Sequence, residues 1–450
     1  MVRDVSLIQT SAGKGTRARP ISLYGPTTMI PKGLMRVMGM PLAEIQLLQT
    51  RHFGVSQAYI IAKEMENREQ LANKFGDGIK QYGISIKYSS PDLDDSNIGS
   101  GDAIITNIKN WNLNGNSLVL ANDNIFEYKL DDLLRSHERS GAVITVLTTS
   151  ETPKNVVGNY GFVDVAESGE IARLIEKPHT EQDIYDALKV QYANEVSINT
   201  GGYMINNDLL KTLSNSEEWI RNRSSQNSFD MAGDLITGLI KRGHKINSYS
   251  IDGWGDFGDL DKYLETTKKA LNKDFLSINR ILESHGYHTL DNNIVIHGDT
   301  LHHRIRTGEA SLQEKIQSGS VYIGPNVFLG RDCIIEDDVK ISYSDIEEGT
   351  MIKNGSEILN SIIYPHNIVG RDSYIEKSLI GLHSKIESDK RHPTRIVGSK
   401  VGPLITVPKG YDITDVKVWP GYRFPKDPSH IEGGKFMPTK DQLYEQFLGS

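Results

Sequence analysis

The residues best suited to chemistry lie near the start of the chain, in a loop of small residues after a strand-like run. Residues 8–22 read I-Q-T-S-A-G-K-G-T-R-A-R-P-I-S. Glycines let backbone N–H groups approach a ligand closely, and successive N–H groups in such a loop attract anions. Arg17 follows at once and offers a planar fork of donors. The pattern predicts a phosphate site.

Three kinds of phosphate site have loops of this composition. A Walker-type loop needs Gly-Lys followed by Ser or Thr, whereas Lys14 is followed by Gly15. A dinucleotide-binding fold needs a glycine-rich turn that opens a long helix, and Pro20 and Pro31 argue against such a helix. The third interpretation is an extended loop around a nucleoside triphosphate, closed by a lysine in the run I-P-K-G-L at residues 30–34.

The N-terminal run resembles the signature of sugar-1-phosphate nucleotidyltransferases, also called NDP-sugar pyrophosphorylases. The chain has S-A-G-K-G-T-R-A-R-P-I-S and then P-K-G-L-M-R-V-M-G-M-P-L. The family's usual form is A-G-G-x-G-T-R-L-x-P-L-T and then P-K-P-L-x-P-V-x-G-x-P-L. Over residues 2–272, four further motifs follow in the family's order: L-A-N-D ending at Asp123, E-K-P from Glu176, N-T-G-G-Y from Asn199 and G-W-G-D-F-G around Asp256.

This resemblance implies Mg²⁺-dependent transfer of a nucleotidyl group from an NTP to a sugar 1-phosphate, with release of pyrophosphate. A phosphate oxygen of the sugar phosphate attacks the α-phosphorus of the NTP, so two polyanions must meet. The barrier is then mainly electrostatic and positional, and cations with a metal suit it better than a covalent nucleophile. Because the sugar phosphate is already ionised, no strong general base is required.

The resemblance also implies a role for each motif residue. Arg17 and Lys32 are the implied catalytic cations. Asp123 and Asp256 are the implied metal ligands, since carboxylate oxygens suit Mg²⁺. The implied nucleotide-binding residues are Ala12, Gly13, Gly15, Thr16, Gly99 and Ser100, and the implied sugar-phosphate-binding residues are Gly161, Glu176, Lys177 and Thr200. Taken singly, each residue has an ordinary structural explanation, such as a helix cap, and only the joint pattern favours the functional one.

One segment departs from the family pattern, and it concerns the base of the nucleotide. The usual Y-x-x-Q or Y-x-x-E is Tyr88-Ser89-Ser90-Pro91 here, and proline offers no side-chain hydrogen bond. We expect backbone groups around Ser89–Asp92 and Gly99–Asp102 to recognise the base and to prefer one NTP. The missing glutamine weakens the case for uridylyl or thymidylyl transfer, so the sequence leans slightly towards a purine.

The elements that must hold these residues alternate up to about residue 270. Alternating strands and helices predict an α/β domain with a Rossmann-like, mostly parallel sheet, which we assign to residues 1–272. The strand candidates are Val5–Ile8, Gln57–Ala62, Ser85–Ser89, Ser117–Ala121 and Ala142–Thr148, and the helix candidates include Leu42–Phe53 and Asn67–Phe75.

From residue 321 the hydrophobic period changes to six. A period of six fits neither an isolated helix nor a flat strand, and predicts a parallel β-helix of hexapeptide repeats. A string of short antiparallel strands is the alternative, and the family resemblance implies a left-handed β-helix. The period runs through Ile323, Leu329, Ile335 and Ile341, slips by one residue to Ile346, Ile352 and Ile358, and slips again to Ile363, Val369 and Ile375.

We assign 273–320 to a helix and connector, 321–390 to the β-helix and 391–450 to a C-terminal cap or interface. The helix begins near Phe275, and the tail ends in a short amphipathic segment, Lys440–Phe447. The connector contains His285, His288, His297, His302 and His303, whose spacing matches no standard metal site. Flat outer faces of a solenoid can stack on another subunit, so we expect a homo-oligomer formed through the β-helix.

The composition of the 450 residues is that of an ordinary globular protein, with 38% hydrophobic and 24% charged residues. A formal net charge of −8 argues against nucleic acid as a main partner. No apolar run approaches the roughly 20 residues of a membrane span. The single cysteine, Cys333, excludes an internal disulfide. We expect a cytoplasmic protein whose partners are an NTP and a sugar 1-phosphate.

Two other functions remain as alternatives. A bifunctional nucleotidyltransferase–acetyltransferase would bind acetyl-CoA on the β-helix, with His366 or His383 as base. The predicted solenoid is short for that role, and no acetylation motif is evident. A non-catalytic regulatory paralogue would have lost a metal ligand or a phosphate-binding cation, whereas Asp123, Asp256 and Arg17 are all present.

Overall fold

The computed structural model describes residues 5–11, 15–25, 28–217, 219, 223, 226–302, 304, 309–425, 430–439 and 442. They form two compact units. The first contains the described residues between Met1 and Gly13 and from Ala43 to Trp254, and the second those between Lys14 and Leu42 and from Gly255 to Ser450. This division differs from the predicted boundary at 272, because the segment after the small-residue loop belongs to the second unit.

The elements before residue 257 follow the predicted alternation. The strands are β1 (Val5–Ser11), β2 (Arg36–Val37), β3 (Met40–Pro41), β4 (Gln57–Ala62), β5 (Ser85–Tyr88), β6 (Asn116–Ala121), β7 (Asn124–Glu127), β8 (Ile144–Glu151), β9 (Phe162–Val165), β10 (Ile171–Ile175), β11 (Val196–Asn206), β12 (Ile246–Ser250) and β13 (Gly253–Asp256). The α-helices are Leu42–His52, Met65–Phe75, Ile79–Tyr82, Pro91–Ser96, Ser100–Asn110, Leu130–Ser140, Pro153–Val156, Glu181–Leu188, Asn207–Ser214 and Thr237–Lys241, with a π-helical turn at Met231–Ile236.

The first unit is built on one large mixed sheet. Among the described residues nine strands form it, in the order β10-β9-β11-β6-β1-β4-β5, with β8 paired to β11 and β12 paired to β8. Neighbours among β5, β4, β1 and β6 are parallel, as predicted. β11 runs antiparallel to β6, β8 and β9, and β10 runs antiparallel to β9, whereas β12 is parallel to β8, so the other half of the sheet is mixed.

The strand order of the parallel half contains a switch point. After β1 the chain adds β4 and β5 on one side, and then β6 on the other. Open α/β sheets bind ligands at the carboxyl ends of the strands where the order reverses. β1 lies at the centre of the sheet, and Leu7 and Ile8 are fully buried. The ends of β1 and β6 are therefore the expected ligand edge of the first unit.

The second unit combines the segment 15–42 with several helices and a long run of short strands. Its α-helices are Leu260–Leu271, Leu276–Ser284, Gly298–His302 and Leu312–Ser318, and its 3-10 turns are Thr16–Ala18, Lys32–Leu34 and Asp291–Asn293. Its strands after β13 are β14 (Tyr287–Leu290), β15 (Ile294–His297), β16 (Tyr322–Ile323), β17 (Val327–Leu329), β18 (Ile334–Ile335), β19 (Lys340–Ser342), β20 (Asp345–Ile346), β21 (Met351–Ile352), β22 (Glu357–Leu359), β23 (Ile362–Ile363), β24 (Ile368–Val369), β25 (Tyr374–Glu376), β26 (Leu379–Ile380), β27 (Lys385–Ile386), β28 (Arg395–Val397), β29 (Lys400–Val401), β30 (Thr406–Val407), β31 (Asp412–Thr414), β32 (Lys417–Val418), β33 (His430–Glu432) and β34 (Lys435–Phe436).

These strands form the predicted parallel β-helix. Its three sheets are β16-β19-β22-β25-β28-β31-β33, β18-β21-β24-β27-β30 and β15-β17-β20-β23-β26-β29-β32-β34, with β14 antiparallel to β15. Ile335 pairs with Ile352, 17 residues on, and Ile352 pairs with Val369 after the same interval. The one-residue slips arise because one of the three sides has five residues instead of six. All ten aliphatic residues of the predicted period are buried.

The coils continue beyond residue 390, where we had predicted their end. β28 to β34 carry them on to Phe436, so the first part of the predicted cap is β-helix. Ile386 pairs with Val407, 21 residues on, because extra residues with a bridge between Asp389 and His392 are inserted at one corner. This insertion interrupts the period of six. The predicted helix Lys440–Phe447 lies outside the described residues apart from Gln442.

A ladder of buried serines runs inside the coils. The N–H of Ser361 donates to Ser344 Oγ, that of Ser378 to Ser361 Oγ, and that of Ser399 to Ser378 Oγ, each at 3.1 Å. Each hydroxyl in turn donates to a carbonyl two residues earlier, as Ser361 does to Leu359 at 2.7 Å. Buried hydroxyls are tolerated in an apolar interior when they are hydrogen-bonded. In the described part of the chain, no helix is long and apolar enough to cross a membrane.

Candidate active site

The switch point of the first unit carries the predicted metal ligand Asp123. The N–H of Asn122 donates to Thr10 O at 3.1 Å, which joins the end of β6 to the end of β1. Asp123 follows at once, and its Oδ1 accepts a hydrogen bond from Asn124 Nδ2 at 3.3 Å. A carboxylate therefore stands at the expected ligand edge of the sheet, and its role as a metal ligand stays a prediction. Ala12 and Gly13, which follow β1, lie outside the described residues.

Gly99 and Ser100 stand at the start of helix Ser100–Asn110, against the backbone of Phe229. A Cβ on Gly99 would lie 2.3 Å from Phe229 O, so only glycine fits there. The N–H groups of Gly101 and Asp102 both donate to Phe229 O, at 3.1 and 3.3 Å. Two of the backbone N–H groups in the segment expected to recognise the base are thus bonded within the protein, and recognition of the base by the other backbone groups stays a prediction.

The segment that departs from the family pattern is a short helix, Pro91–Ser96, with proline in its first turn. Asp94 Oδ2 pairs with Arg68 Nη2 at 2.7 Å and accepts a hydrogen bond from Ser89 Oγ at 2.7 Å. Asn97 follows the helix and is 8% exposed, and its Oδ1 accepts no hydrogen bond from the described residues. No sequence signal indicates this buried amide, because its burial depends on the helix that replaces the usual spacer.

The predicted sugar-phosphate residues include one close pair. A Cβ on Gly161 would lie 2.6 Å from Glu176 Oε1, so glycine at 161 makes room for the carboxylate. The pKa of Glu176 is raised, first by desolvation and then by the negative charge of Asp230, while Lys177 and a hydrogen bond with Asn199 oppose the rise. Lys177 is exposed and holds a φ of 43°, a strained value for a lysine.

The N-T-G-G-Y motif forms an irregularity in β11. The pairing of β11 with β8 shifts register between Asn199 and Tyr203, and Gly201 has a φ of 80°. Bulges of this kind re-aim side chains next to active sites. The hydroxyl of Thr200 donates to Leu147 O at 2.6 Å, so its hydrogen is used within the sheet. Asn199 Nδ2 donates to Tyr203 OH at 3.0 Å and fixes the amide beside Glu176.

The second unit holds the two predicted catalytic cations, Arg17 and Lys32. Gly15 has a φ of 59°, and its carbonyl accepts hydrogen bonds from Ala18 N at 3.1 Å and Ser22 Oγ at 2.9 Å. This tight turn leaves Thr16 and Arg17 exposed. Lys32 is 9% exposed and opens its own 3-10 turn. A Cβ on Gly15 would lie 3.5 Å from Lys32 Cγ, so the glycine turn and the lysine stem are neighbours.

Asp256 lies at the end of β13, within an ion pair that the sequence did not indicate. Its Oδ2 accepts from Lys262 Nζ at 2.8 Å and its Oδ1 from the N–H of Gly258 at 2.6 Å. A Cβ on Gly258 would lie 2.8 Å from Asp256 Oδ1 and 3.4 Å from Arg17 Nη2. Arg17 and Asp256 therefore border the same glycine. Lys262 lies in the first turn of helix Leu260–Leu271 and orients the carboxylate.

Comparisons with known proteins agree with both parts of the chain. Residues 8–273 match the family described as nucleotidyl transferase. The chain belongs to the nucleotidyl transferase family. Residues 310–420 of this nucleotidyl transferase match the domain described as the GMPPB C-terminal domain.

Several known proteins are similar to this nucleotidyl transferase. The UTP–glucose-1-phosphate uridylyltransferase of Synechocystis sp. is 25% identical over 383 residues, which cover 82% of this chain and 85% of the relative. "Probable mannose-1-phosphate guanylyltransferase 3" of Oryza sativa is 26% identical over 379 residues, covering 82% and 88%. The bifunctional protein GlmU of Methanococcus maripaludis is 26% identical over 371 residues, covering 82% and 76%.

Proposed function

We propose that this nucleotidyl transferase joins an NTP to a sugar 1-phosphate and releases pyrophosphate. The observation that carries the proposal is the place of Asp123, directly after β6 at the switch point of the sheet. Relatives named for uridylyl and guanylyl transfer to glucose 1-phosphate and mannose 1-phosphate support the substrate class. Their names differ in the base, so the base is left to the experiment.

In the proposed reaction an oxygen of the sugar phosphate forms a bond to the α-phosphorus of the NTP. The bond from that phosphorus to the bridging oxygen of the β-phosphate breaks, and pyrophosphate leaves with the electron pair. Arg17 binds phosphate oxygens through its fork of donors. Lys32 binds them from a nearly buried position, where a charge interacts more strongly than in water.

The chemistry of the donor set fits a magnesium ion, since Asp123 and Asp256 offer hard carboxylate oxygens. When bound, Mg²⁺ would reduce the repulsion between the phosphates that must meet. Lys262 and the N–H of Gly258 orient the carboxylate of Asp256, and Asn124 orients that of Asp123. The assignment of both aspartates to one ion stays a prediction.

On the sugar side, Glu176 accepts hydrogen bonds from sugar hydroxyls and Lys177 binds the sugar phosphate. Gly161 gives the carboxylate its room, and Asn199 beside it is an additional candidate for a sugar contact. A homo-oligomer formed through the β-helix and a cytoplasmic location stay predictions. For the bifunctional alternative, the candidate bases His366 and His383 stack on each other with ring centroids 5.0 Å apart.

The test is a pyrophosphate-release assay over a matrix of five NTPs and a panel of hexose and hexosamine 1-phosphates. We expect release only when both substrates are present, loss of release with EDTA, and recovery with Mg²⁺. Release from an NTP alone, or no release from any pair, would contradict the proposal. A parallel reaction with acetyl-CoA and a thiol reagent for free coenzyme A tests the bifunctional alternative in the same samples.

A further inference from the structure

One outer face of the β-helix is apolar because the rest of the second unit covers it. In the sheet that contains β17, β20, β23 and β26, the outward residues Phe328, Asp345, Ile362 and Leu379 pair in register. All four are at most 1% exposed. Among them only Asp345 is ionisable, and burial raises the pKa of its carboxyl. A buried carboxylate is costly without a partner, so its presence in this row requires one.

The partner is the hairpin β2–β3. The N–H of Met38 donates to Asp345 Oδ2 at 2.8 Å. Two residues further along the coil, the carboxylate of Glu347 is fully buried and pairs with the guanidinium of Arg36. Glu347 Oε1 also accepts from the N–H of Gly39 at 3.4 Å, and Glu348 lies 3.1 Å from Arg36 Nη2. Asp345 and Glu347 of the β-helix thus bind three parts of the hairpin region, Met38, Gly39 and the side chain of Arg36.

Two buried tyrosines hold the backbone of Arg36 from the other side. Tyr263 OH donates to Arg36 O and lies 2.6 Å from Tyr364 OH, which accepts a weak hydrogen bond from Arg36 N–H at 3.5 Å. Burial raises the pKa of Glu347, and the charge of Arg36 opposes that rise. The ionised form of Glu347 therefore depends on the charge of Arg36, which an arginine keeps at all ordinary pH values.

The contacts of Arg36 with Glu347, Tyr263 and Tyr364, which we call the clamp, lie close to Lys32 along the chain. The N–H of Leu34 donates to Pro31 O and that of Met35 to Lys32 O, both at 2.9 Å, so a 3-10 turn joins the lysine to Arg36. The chain therefore has little freedom between the clamp and the lysine. Arg36 stands directly before Val37, where the family form P-K-P-L-x-P-V has a proline, and a proline could not make this ion pair.

We propose that Glu347, acting through Arg36, is a positioning residue for Lys32, so that the β-helix holds the lysine that binds the NTP phosphates. The inference rests on the proposed function of Lys32. Glu347 touches no substrate in this scheme and acts only by fixing the turn. Small displacements of a charge that binds a reacting phosphate lower the rate strongly, by up to about 100-fold for 1 Å.

The experiment compares Glu347→Gln with the matched control Glu357→Gln, which lies on another face of the same β-helix. For Glu347→Gln we expect kcat/KM for the NTP to fall by about tenfold or more, with KM for the sugar 1-phosphate changed by less than about twofold. The control should change neither. If Glu347 has a purely structural role, the substitution should lower the melting temperature. It should then not affect kcat/KM for the NTP selectively over KM for the sugar 1-phosphate.

A double-mutant cycle with Lys32→Met shows whether the effect passes through the lysine. If it does, Glu347→Gln in the Lys32→Met background should lower kcat/KM by less than about twofold, because the group that it positions is gone. Full multiplication of the two effects would overturn the proposal. Where turnover is too low to measure, the rise in melting temperature on adding NTP is measured instead. Glu347→Gln should then reduce this rise in the wild-type background and change it little in the Lys32→Met background.

Arg36→Lys covers the case in which Glu347→Gln does not fold. Lysine keeps the positive charge beside Glu347 and Glu348 but lacks the planar, forked donors of the guanidinium. We therefore expect an intermediate loss of kcat/KM for the NTP, again with little change in KM for the sugar 1-phosphate. Unchanged kinetics in folded Arg36→Lys would overturn the positioning role. A wild-type protein that releases no pyrophosphate would instead overturn the proposed function, so the two failures are distinguishable.

Discussion

Asp123 and Asp256 have different partners, and this affects how each should respond to substitution. Asp123 is held by the amide of Asn124, whereas Asp256 is held by a lysine and a backbone N–H. Replacement of either by Asn keeps the shape of the side chain and removes the charge that a divalent ion requires. The hydrogen bond from Gly258 to residue 256 can survive the change.

We therefore predict that Asp123→Asn and Asp256→Asn each lower turnover by about 100-fold or more, without a large change in melting temperature. Binding of NTP, followed by calorimetry, should lose its dependence on Mg²⁺ in both. Asp186→Asn, on the exposed side of helix Glu181–Leu188, is the control and should behave as wild type. Near-normal turnover in both test variants would contradict the assignment.

Recognition of the base gives a second prediction at the scale of single residues. With the N–H groups of Gly101 and Asp102 bonded to Phe229, Asn97 Oδ1 is a buried side-chain oxygen near Gly99 that accepts no hydrogen bond from the described residues. In competition among ATP, GTP, CTP, UTP and dTTP, we expect one purine nucleotide to win. Asn97→Ala should reduce that preference by about tenfold or more, because an unpaired base edge costs free energy.

Asn110→Ala, at the exposed end of helix Ser100–Asn110, serves as the control for this measurement. A pyrimidine that wins by more than about tenfold would overturn the lean towards a purine. Equal use of all five nucleotides would overturn selective recognition altogether.

At the scale of elements, helix Leu130–Ser140 is attached to β8 through a buried histidine. His137 is 1% exposed, and its Nδ1 lies 2.8 Å from Thr145 Oγ1. Burial lowers the pKa of His137 to about 4, below the value of about 6.5 in an unfolded chain. The unfolded state thus binds the proton more readily, and its protonation favours unfolding as the pH falls.

The stability that neutral His137 provides should be complete above about pH 6.5 and be lost as the pH falls towards 4, with a total of up to about 3 kcal/mol. Urea unfolding between pH 7 and 4.5 measures it. In His137→Gln the free energy of unfolding should fall less steeply over this range. The exposed His52→Gln should keep the wild-type slope. Equal slopes in all three proteins would show that His137 is not responsible.

The sequence predicted the elements well where the burial pattern repeats, and poorly where long-range contacts decide. The period of six placed Ile323 to Ile375 inside the coils, because each coil repeats the same local environment. It failed beyond Ile386, since the inserted corner breaks the count although Val407 and Ile413 continue the interior row. The motifs named Asp123 and Asp256 but could not indicate Lys262, whose role depends on the start of a helix.

At the scale of the whole molecule, no local pattern could show that residues 15–42 belong with the β-helix. Their contacts join residues about 300 positions apart, such as Arg36 with Glu347. This has a practical result for the predicted oligomer. Truncation after residue 272 would remove Glu347 and Tyr364 and leave their partners Arg36 and Tyr263 uncovered, so the oligomer has to be tested on the full chain.

For that test, the outward row of another face of the β-helix offers a continuous apolar stripe. Ile334, Met351 and Ile368 pair in register there and are followed in the same row by Lys385 and Thr406. We predict that light scattering finds an oligomer and that Met351→Lys reduces its size. Thr406→Lys, at the polar end of the row, is the control. A wild-type monomer, or an oligomer unaffected by Met351→Lys, would contradict an interface on this stripe.

The serine ladder indicates where the β-helix tolerates an insertion. Ten residues separate Ile386 from Ile396, where six separate Val369 from Ile375, yet all four side chains are fully buried. Ser399 still donates its N–H to Ser378 at 3.1 Å across the longer coil. The extra residues therefore lie at one corner of the coil, and the strands after them keep the register of the ladder. A foreign peptide grafted between Asp389 and His392 should be displayed on the surface, whereas one extra residue inside a strand would break the ladder in every later coil.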